Sequence, residues 1–139
     1  MAVVAFIDGL AQPTNPGIGT YAFVIYRDNE KIAEDCGLAG SNVTNNFAEY
    51  YALVMALDKL KSIRALRDVI VRSDSKLLVG QMAQGWKVKG GGYIEKFKEA
   101  KDLAGEFVSL RFEWIPREQN AEADLLSRIA YNRHSRKER

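Results

Sequence analysis

Cysteine is almost absent from this sequence. Its single cysteine, Cys36, can form neither a disulfide bond within the chain nor a thiolate metal site. Histidine is equally scarce, since His134 near the C-terminus is the only one. Nothing here depends on an oxidising compartment, and a cytoplasmic location is the expectation.

Long hydrophobic runs are also missing. No apolar stretch approaches the roughly 20 residues that a membrane-spanning helix needs. The chain starts without a basic segment and soon reaches Asp8 and Gly9, which is unlike a secretory signal peptide. Neither a membrane span nor an export signal is expected.

A strong charge of one sign is a third absence. The net charge of +2 is too small to predict a polyanionic partner by itself. Basic residues are nevertheless concentrated in a C-terminal tail, residues 133–139, which contains Arg133, His134, Arg136, Lys137 and Arg139. We expect this tail to be solvated and mobile, with contact to nucleic acid as the alternative.

What the sequence does contain is the composition of one folded domain. Of its 139 residues, 47% are hydrophobic and 27% are charged, as in soluble globular proteins. A chain of this length buries about two-thirds of its unfolded surface around a single core. We expect one monomeric domain over residues 1–132, followed by the basic tail.

The first part of the chain has the pattern of an antiparallel sheet. Val3–Asp8 is a nearly continuous apolar run, typical of a strand buried on both faces, and Gly9 is expected to end it. Two further β-rich runs, Tyr21–Tyr26 and Lys31–Gly37, are separated by a short polar segment. The pattern predicts a hairpin, and with it an antiparallel meander of the first three strands.

From residue 45 onward the hydrophobic period becomes helical. Apolar residues recur at helical spacing as far as Leu60, and Thr44 is available as the N-cap. The later pattern predicts a strand at Val69–Val71, a short helix at Lys76–Met82, a glycine-rich connection at Gly85–Gly92, a helix at Ile94–Phe107, a strand at Leu110–Ile115, and a helix at Ala121–Tyr131 capped by Asn120. Strands separated by helices pair in parallel through right-handed crossovers. The expected fold is α/β, a five-stranded mixed sheet flanked by helices, with strands 1–3 antiparallel and strands 1, 4 and 5 parallel.

One acidic residue stands where an acid is unfavourable. Glu49 shares a helical stripe with apolar residues, so its carboxylate points toward the sheet; the stripe is Leu53, Ala56 and Leu60. A buried carboxylate needs a partner. The alternatives to a functional role are that Glu49 is the N3 residue of a capping box or pairs with an arginine.

Three aspartates are also candidates for function. Asp8 closes the first predicted strand and Asp74 follows another, at the carboxyl-terminal edge where open α/β sheets bind ligands. Asp124 lies in the first turn of the last predicted helix. Each has a structural alternative, because Asp-Gly and Ser-Asp-Ser sequences form turns and the helix dipole favours an acid in the first turn.

The predicted topology brings all four acids to one edge of the sheet. Four carboxylates in one place repel each other unless a divalent cation neutralises them. Oxygen ligands without Cys or His select hard ions such as Mg²⁺ or Mn²⁺. Two such ions about 4 Å apart activate water on one side of a phosphodiester and stabilise the leaving oxygen on the other.

Four short motifs occur in a characteristic order. They are Phe6-Ile7-Asp8-Gly9 with Asn15-Pro16-Gly17, then Thr44-Asn45-Asn46-Phe47-Ala48-Glu49-Tyr50, then Ser73-Asp74-Ser75, and finally the run from Trp114 to Asp124. Each motif alone is weak, but together they resemble the type 1 ribonuclease H family from about residue 3 to residue 131. The last motif is similar to the form found in archaea, many bacteria and plants. The resemblance implies the ribonuclease H-like fold.

The resemblance also implies an activity and its metal ligands. The expected activity is that of an endoribonuclease that hydrolyses the RNA strand of RNA/DNA hybrids, leaving 5′-phosphate and 3′-hydroxyl ends. Two Mg²⁺ ions would serve in the substrate complex, and Mn²⁺ would be able to replace them. By similarity, Asp8 would bridge both ions and Asp124 would complete the site of the water-activating ion. Glu49 and Asp74 would hold the ion that faces the leaving group.

Substrate contacts are implied at the start of the first helix. Backbone amides at a helix start can hold a phosphate, and asparagine amides can reach 2′-hydroxyls. The residues that would face the hybrid are Thr44, Asn45 and Asn46, with Asn15 beside them. Ordinary loop and cap chemistry is the alternative explanation for the same residues.

The chain departs from one bacterial branch of the family at two places. That branch has a histidine before the last acid, whereas the loop Pro116–Gln119 has none. Glu118 is the nearest ionisable substitute for proton transfer or product release, unless it only solvates the loop. The same branch has a basic helical protrusion that grips the DNA strand; here the corresponding segment offers only Trp86, Lys87 and Lys89. Trp86 would either stack on a deoxyribose or cover the core.

Two other functions are compatible with such a fold. A different nuclease, such as a resolvase or an exonuclease, is one of them, because a fold does not determine the substrate. The Thr-Asn-Asn and Asn-Pro-Gly elements argue against it. A non-catalytic nucleic-acid-binding module is the other, and the complete set of four acids argues against that, because a module without metals should lose them.

Overall fold

The structure is a computed structural model that describes residues 2–137 of the chain. Strands and helices alternate much as the sequence predicts. In chain order they are β1 (Val3–Gln12), β2 (Gly17–Arg27), β3 (Glu30–Val43), α1 (Asn45–Ser62), β4 (Val69–Ser73), α2 (Lys76–Ala83), α3 (Ile94–Ala104), β5 (Leu110–Trp114) and α4 (Ala121–Lys137). One turn of 3₁₀ helix, Arg117–Asn120, connects β5 to α4.

The strands form one mixed sheet in the order β3-β2-β1-β4-β5. β1 pairs antiparallel with β2, and β2 pairs antiparallel with β3. β4 is parallel to both β1 and β5. The predicted fold class and strand directions are confirmed, and β1 is the central strand.

Helices cover both faces of this sheet. Phe23 and Ile25 of β2 belong to a core that includes Leu53 and Leu57 of α1. Thr20 points to the other face, where its hydroxyl lies 2.7 Å from that of Ser127 in α4. The core therefore lies mainly between the sheet and α1, and α4 closes the opposite face.

The first three strands are longer than predicted. β1 continues to Gln12, and its antiparallel register with β2 runs on to Gln12↔Ile18. The prediction that Gly9 ends the first strand, and that Asp8 closes it, was wrong. Backbone hydrogen bonds to the neighbouring strand keep the chain extended through glycine and polar residues that end the apolar pattern.

β1 and β4 are hydrogen-bonded to each other only over the first residues of β1. Their parallel register ends at Phe6↔Arg72, whereas β4 goes on to pair with β5 as far as Ser73↔Trp114. Asp8 is paired only with β2, opposite Ala22. The two central parallel strands are therefore not paired with each other beyond Phe6.

The last helix continues beyond its predicted end at Tyr131. α4 reaches Lys137, because no glycine or proline follows Tyr131 and Arg and Lys are good helix formers. The predicted tail thus begins inside the helix, and Arg139 lies outside the described residues. Contact of these basic residues with nucleic acid stays a prediction. Across residues 2–137, no helix combines the length and apolar character needed to cross a membrane.

Candidate active site

α1 begins at a capped N-terminus and carries Glu49 into the core. The Thr44 hydroxyl accepts a hydrogen bond from the backbone N–H of Phe47 at 3.1 Å, which confirms the predicted cap. Glu49 is 8% exposed, and the stripe residues Leu53 and Leu60 are fully buried. With Thr44 as the N-cap, the N3 position belongs to Phe47, so Glu49 is not a capping-box residue.

Gly9 allows α1 to approach β1. A Cβ atom at Gly9 would lie 2.2 Å from the carbonyl carbon of Ala48 and 2.3 Å from the backbone nitrogen of Glu49, so only glycine fits. The Gly9 backbone N–H also donates a hydrogen bond to the Glu49 carboxylate. Gly9 therefore places Glu49 next to Asp8 rather than ending a strand.

Three of the four predicted metal ligands form one compact group. Asp8, Glu49 and Asp74 each offer a carboxylate oxygen, and these atoms all lie within 4.8 Å of one another. Asp8 is 5% exposed, and Asp74, directly after β4, is half-buried. Asp8 Oδ2 and Glu49 Oε2 are buried and have no hydrogen-bond partner in the part of the chain that the structure describes. The structure thus brings together acids from β1, α1 and the end of β4.

The fourth predicted ligand, Asp124, borders this group. It lies in the first turn of α4, close enough for its negative charge to raise the pKa of the Asp8 carboxyl group. Arg128, one helical turn later, donates from Nε to Asp124 Oδ2 at 3.3 Å. The Asp124 carboxylate therefore lies beside Asp8, at the α4 side of the three-acid group.

Burial raises the pKa values of the grouped acids. It is the main cause that raises the pKa of Asp8 to about 8, and the negative charges of Asp74 and Asp124 add to it. Burial, followed by the charges of Asp8 and Asp74, raises the pKa of Glu49 well above its usual range. Burial also raises the pKa of Asp74. Without a cation, burial and mutual repulsion therefore disfavour the charged forms of these acids.

Arg117 opposes these shifts. It is exposed on the 3₁₀ turn, and its charge acts to lower the pKa values of Asp8, Glu49 and Asp74. Within residues 2–137 it forms no salt bridge with Glu49, so the suggested arginine pair is not present. The sequence did carry a signal for Arg117, because it is the only basic residue between β5 and α4.

These features fit a hard divalent cation. The two buried oxygens without partners are the type of ligand that Mg²⁺ and Mn²⁺ prefer, and the three-residue group contains neither Cys nor His. A cation would also offset the repulsion among the acids. Asp8, Glu49 and Asp74, with Asp124 beside them, are the residues that could hold it.

Asn120 is a site residue that the sequence pattern did not identify. It is 1% exposed, and its Nδ2 donates to the backbone oxygen of Ile7 at 2.7 Å. Its side chain also hydrogen-bonds the Asp74 carboxylate. A helix cap uses the side-chain oxygen as an acceptor, but Asn120 Oδ1 has no partner within residues 2–137. The predicted cap was wrong, because the side chain makes long-range contacts instead; only its place in the last motif pointed to the site.

Glu118 lies at the surface, on the turn that also carries Arg117 and Asn120. It is exposed on the turn Arg117–Asn120 and is not a member of the three-acid group. The structure does not bring it into contact with Asp8, Glu49 or Asp74. A role for Glu118 in proton transfer or product release stays a prediction.

The predicted substrate residues at the start of α1 lie together. The backbone N–H of Asn45 donates to Asn15 Oδ1 at 3.0 Å, and Asn45 Oδ1 accepts from the backbone N–H of Ala11 at 2.8 Å. Thr44 is the N-cap, and Asn46 is exposed beside it. Ordinary loop chemistry thus uses the amide oxygens of Asn15 and Asn45. Their NH₂ groups are not required for it, and contact with a hybrid stays a prediction.

The segment that is predicted to contact the DNA strand, Gly85–Gly92, is a non-helical connection between α2 and α3. A Cβ atom at Gly80 would lie 2.2 Å from the Trp86 ring, so the indole packs directly on the α2 backbone. Trp86 is nevertheless 48% exposed, and Lys87 and Lys89 are exposed as well. Trp86 therefore covers α2 with part of its ring; stacking of the exposed part on a deoxyribose stays a prediction.

Buried side chains anchor this segment. Gln81 of α2 accepts a hydrogen bond from the Tyr50 hydroxyl at 2.6 Å and donates to the Tyr93 hydroxyl at 2.9 Å. Its amide also donates to the backbone oxygen of Lys87 at 3.3 Å. The Tyr50 and Tyr93 rings are stacked, with centroids 5.4 Å apart. The loop that carries Trp86 and both lysines is therefore attached to the core at its middle and its end.

Known proteins share this fold and this sequence pattern. The model of the reverse transcriptase-like family matches residues 6–130. The bifunctional protein Rv2228c of Mycobacterium tuberculosis is 36% identical over 131 residues, which are 94% of this chain and 35% of that protein. Ribonuclease HI of Synechocystis is 30% identical, with 94% of this chain and 88% of that protein covered. The chain thus spans about a third of the curated relatives that it matches first.

Solved structures agree with these relatives. The N-terminal ribonuclease H domain of Rv2228c has a TM-score of 0.90 at 34% identity, with 99% of each chain covered. LC11-RNase H1, isolated from compost, was solved in complex with an RNA/DNA hybrid. It has a TM-score of 0.86 at 38% identity and covers 95% of this chain and 98% of its own.

Sheet order, acid placement and sequence matches define a class of protein. The chain has the fold of the ribonucleases H and belongs to the reverse transcriptase-like family. Within that family it belongs to the type 1 ribonucleases H, as the resemblance implied. The short connection between α2 and α3 agrees with the branch that lacks a basic protrusion.

Proposed function

We propose that this chain binds RNA/DNA hybrids and hydrolyses their RNA strand with the help of divalent cations. One observation carries the proposal. In a fold of the ribonuclease H class, Asp8, Glu49 and Asp74 converge within 4.8 Å, and two of their buried oxygens have no protein partner among residues 2–137. The hybrid bound by LC11-RNase H1 supports the choice of substrate.

Four acids would hold two Mg²⁺ ions, which Mn²⁺ would be able to replace. Asp8, Glu49 and Asp74 supply the central oxygens, and Asp124 supplies a further carboxylate on the α4 side. When bound, such ions activate water for attack on phosphorus and stabilise the leaving oxygen. Because water and not the 2′-oxygen attacks, the products carry 5′-phosphate and 3′-hydroxyl ends.

The start of α1 would orient the RNA strand. The N-terminal backbone amides of α1 favour a phosphate. The NH₂ groups of Asn15, Asn45 and Asn46 are donors suited to 2′-hydroxyls, which distinguish RNA from DNA. The positions of Asn15 and Asn45 are determined by hydrogen bonds that their side-chain oxygens accept and that the Asn45 backbone donates.

The segment between α2 and α3 would contact the DNA strand. Trp86 is 48% exposed and offers part of its ring for stacking, and Lys87 and Lys89 offer positive charge to phosphates. With only two lysines here, we expect modest affinity and a shallow dependence on salt. A cytoplasmic location and a monomeric state also stay predictions.

A comparison of substrates tests the proposal. A labelled RNA/DNA hybrid is incubated beside double-stranded RNA, DNA duplex and single strands, with Mg²⁺, Mn²⁺ or a chelator. The expected result is cleavage of the RNA strand of the hybrid only, with metal present, and ends that a 5′-phosphate-dependent exonuclease accepts. Products ending in 2′,3′-cyclic phosphate, or cleavage that survives the chelator, would contradict the proposal. Binding without any cleavage would indicate a non-catalytic module instead.

A further inference from the structure

Asn120 connects separate backbone segments of the candidate site. It ends the 3₁₀ turn between β5 and α4. Its Nδ2 donates to the carbonyl oxygen of Ile7, the residue before Asp8, across 113 positions of sequence. Its side chain also hydrogen-bonds the Asp74 carboxylate. One buried amide group thus contacts β1 beside Asp8 and Asp74 itself.

This bridge lies where the sheet itself no longer joins the two segments. The last backbone pair between β1 and β4 is Phe6↔Arg72, so neither Asp8 nor Asp74 is held by that ladder. The carbonyl group next along β1, that of Ile7, accepts from Asn120 instead. The spacing between the two acids therefore depends on a side chain and not on strand pairing.

We propose that Asn120 is a positioning residue that sets the orientation of the Asp74 carboxylate relative to Asp8, and thereby the affinity of the site for divalent cations. The inference rests on the proposed function, since it concerns the same metal site. It assigns to Asn120 a role that is distinct from metal binding.

The chemistry of the amide group supports this role. An NH₂ group has two hydrogens, and both of its neighbours, the Ile7 carbonyl and the Asp74 carboxylate, can only accept. Oδ1 in the same place would face two acceptors, so the orientation of the amide is determined by its surroundings. Both N–H groups are therefore used to hold the site together.

The main chain of Asp74 is held separately. Trp114 Nε1 donates to the backbone oxygen of Asp74 at 3.1 Å. This backbone contact leaves the Asp74 side chain free to rotate. The hydrogen bond from Asn120 restricts that rotation. Because Asn120 is 1% exposed, the donor of this hydrogen bond is shielded from water. Groups that orient metal ligands in this way typically change metal affinity or activity by about 10- to 100-fold when they are removed.

A comparison of two buried polar residues tests the proposal. Asn120→Ala removes the bridge, and Ser127→Ala is the matched control, because Ser127 is also fully buried and makes a hydrogen bond of 2.7 Å to Thr20. Mn²⁺ binding to the full chain is measured by isothermal titration calorimetry without nucleic acid. We expect Asn120→Ala to weaken Mn²⁺ binding by about 10- to 100-fold. Ser127→Ala should leave the affinity within about twofold, since it is not in contact with the acids.

A second variant and a metal-free measurement guard against a simple folding defect. Asn120→Leu keeps a similar volume while it removes both donors. In chelator, the melting temperatures of Asn120→Leu, Asp74→Ala and the double variant should be non-additive, because the two residues contact each other.

Two results would overturn the positioning role. One is that neither Asn120 variant weakens Mn²⁺ binding more than Ser127→Ala does. The other is additive melting shifts. A third outcome is that the wild-type chain does not bind Mn²⁺ at all. In that case the proposed metal site is wrong, and the positioning role of Asn120 is wrong with it.

Discussion

At the scale of single residues, a buried acid with a raised pKa makes stability depend on pH. The pKa of Asp8 is about 8 in the folded chain, against a usual value of 3.8. Between these values the folded chain holds a proton that the unfolded chain has released. This stabilisation is therefore fully present below the usual value and is lost as the pH rises through about 8.

We predict that Asp8→Asn reduces this dependence. In chelator, the wild-type melting temperature should fall as the pH rises from about 5 to about 8.5, and the slope should be smaller for the variant. Near the upper end, Asp8→Asn should melt at the same temperature as wild type or higher, because it relieves repulsion in the acid group. Hybrid cleavage should be abolished while hybrid binding persists. Calorimetry and a gel-shift assay would measure this; a loss of several degrees would mean that Asp8 is paired structurally.

Glu118 allows a second prediction about a single residue. If this exposed carboxylate passes protons or loosens product, Glu118→Gln should lower turnover by about 10²-fold or more over part of the pH range. The substitution keeps the shape and removes only the charge, so the pH profile of the turnover number isolates the proton function. A turnover within about twofold of wild type at every pH, far below that range, would leave the four acids as the whole of the chemistry.

At the scale of elements, the contact between β1 and α1 determines where Glu49 lies. We predict that Gly9→Ala destabilises the protein by roughly 1–3 kcal/mol, because the new Cβ would meet the backbone at Ala48 and Glu49. Mn²⁺ affinity should fall as well, since Glu49 is displaced from Asp8. Urea unfolding and titration calorimetry would measure both effects. Gly92→Ala is the control, because a Cβ there meets nothing within 4 Å.

The α2–α3 connection should become more mobile when its anchor is removed. Gln81→Ala deletes the amide that joins Tyr50, Tyr93 and the Lys87 carbonyl, and leaves the two buried tyrosine hydroxyls without this partner. We expect a stability loss of about 1–3 kcal/mol and faster trypsin cleavage after Lys87 or Lys89. Ser127→Ala, which removes a buried hydrogen bond elsewhere, should not speed cleavage at these lysines. Equal cleavage rates in both variants would argue against the anchor.

At the scale of the whole molecule, the metal site should couple to global stability. A cation that binds only the folded chain stabilises it by about 2.7 kcal/mol when its concentration is 100 times its dissociation constant. We therefore predict that Mg²⁺ or Mn²⁺ raises the melting temperature of wild type and has little effect on Asp74→Asn. Thermal unfolding at increasing metal concentration would measure this. An equal rise in both proteins would place the stabilising cation elsewhere.

Much of the fold was predictable from local pattern. Hydrophobic periodicity located every strand and helix named in the sequence analysis, and the Thr44 cap and the buried stripe at Glu49 are confirmed. Errors concentrated at ends of elements. β1 and α4 continued past Asp8 and Tyr131, because strand pairing and helix propensity extend an element beyond its apolar residues.

The sequence by itself determined which acids are the candidates for the chemistry, because an acid on an apolar helical stripe and short motifs in a characteristic order are visible in residue type and spacing alone. Only the tertiary structure decided how they are held. The role of Gly9 depends on the close approach of the α1 backbone, and the role of Asn120 depends on a hydrogen bond to Ile7, 113 positions away in sequence. Neither role is therefore visible in the periodicity of the sequence. The raised pKa of Asp8 likewise arises from burial and from Asp74 and Asp124, which are remote in sequence and adjacent only in the folded chain.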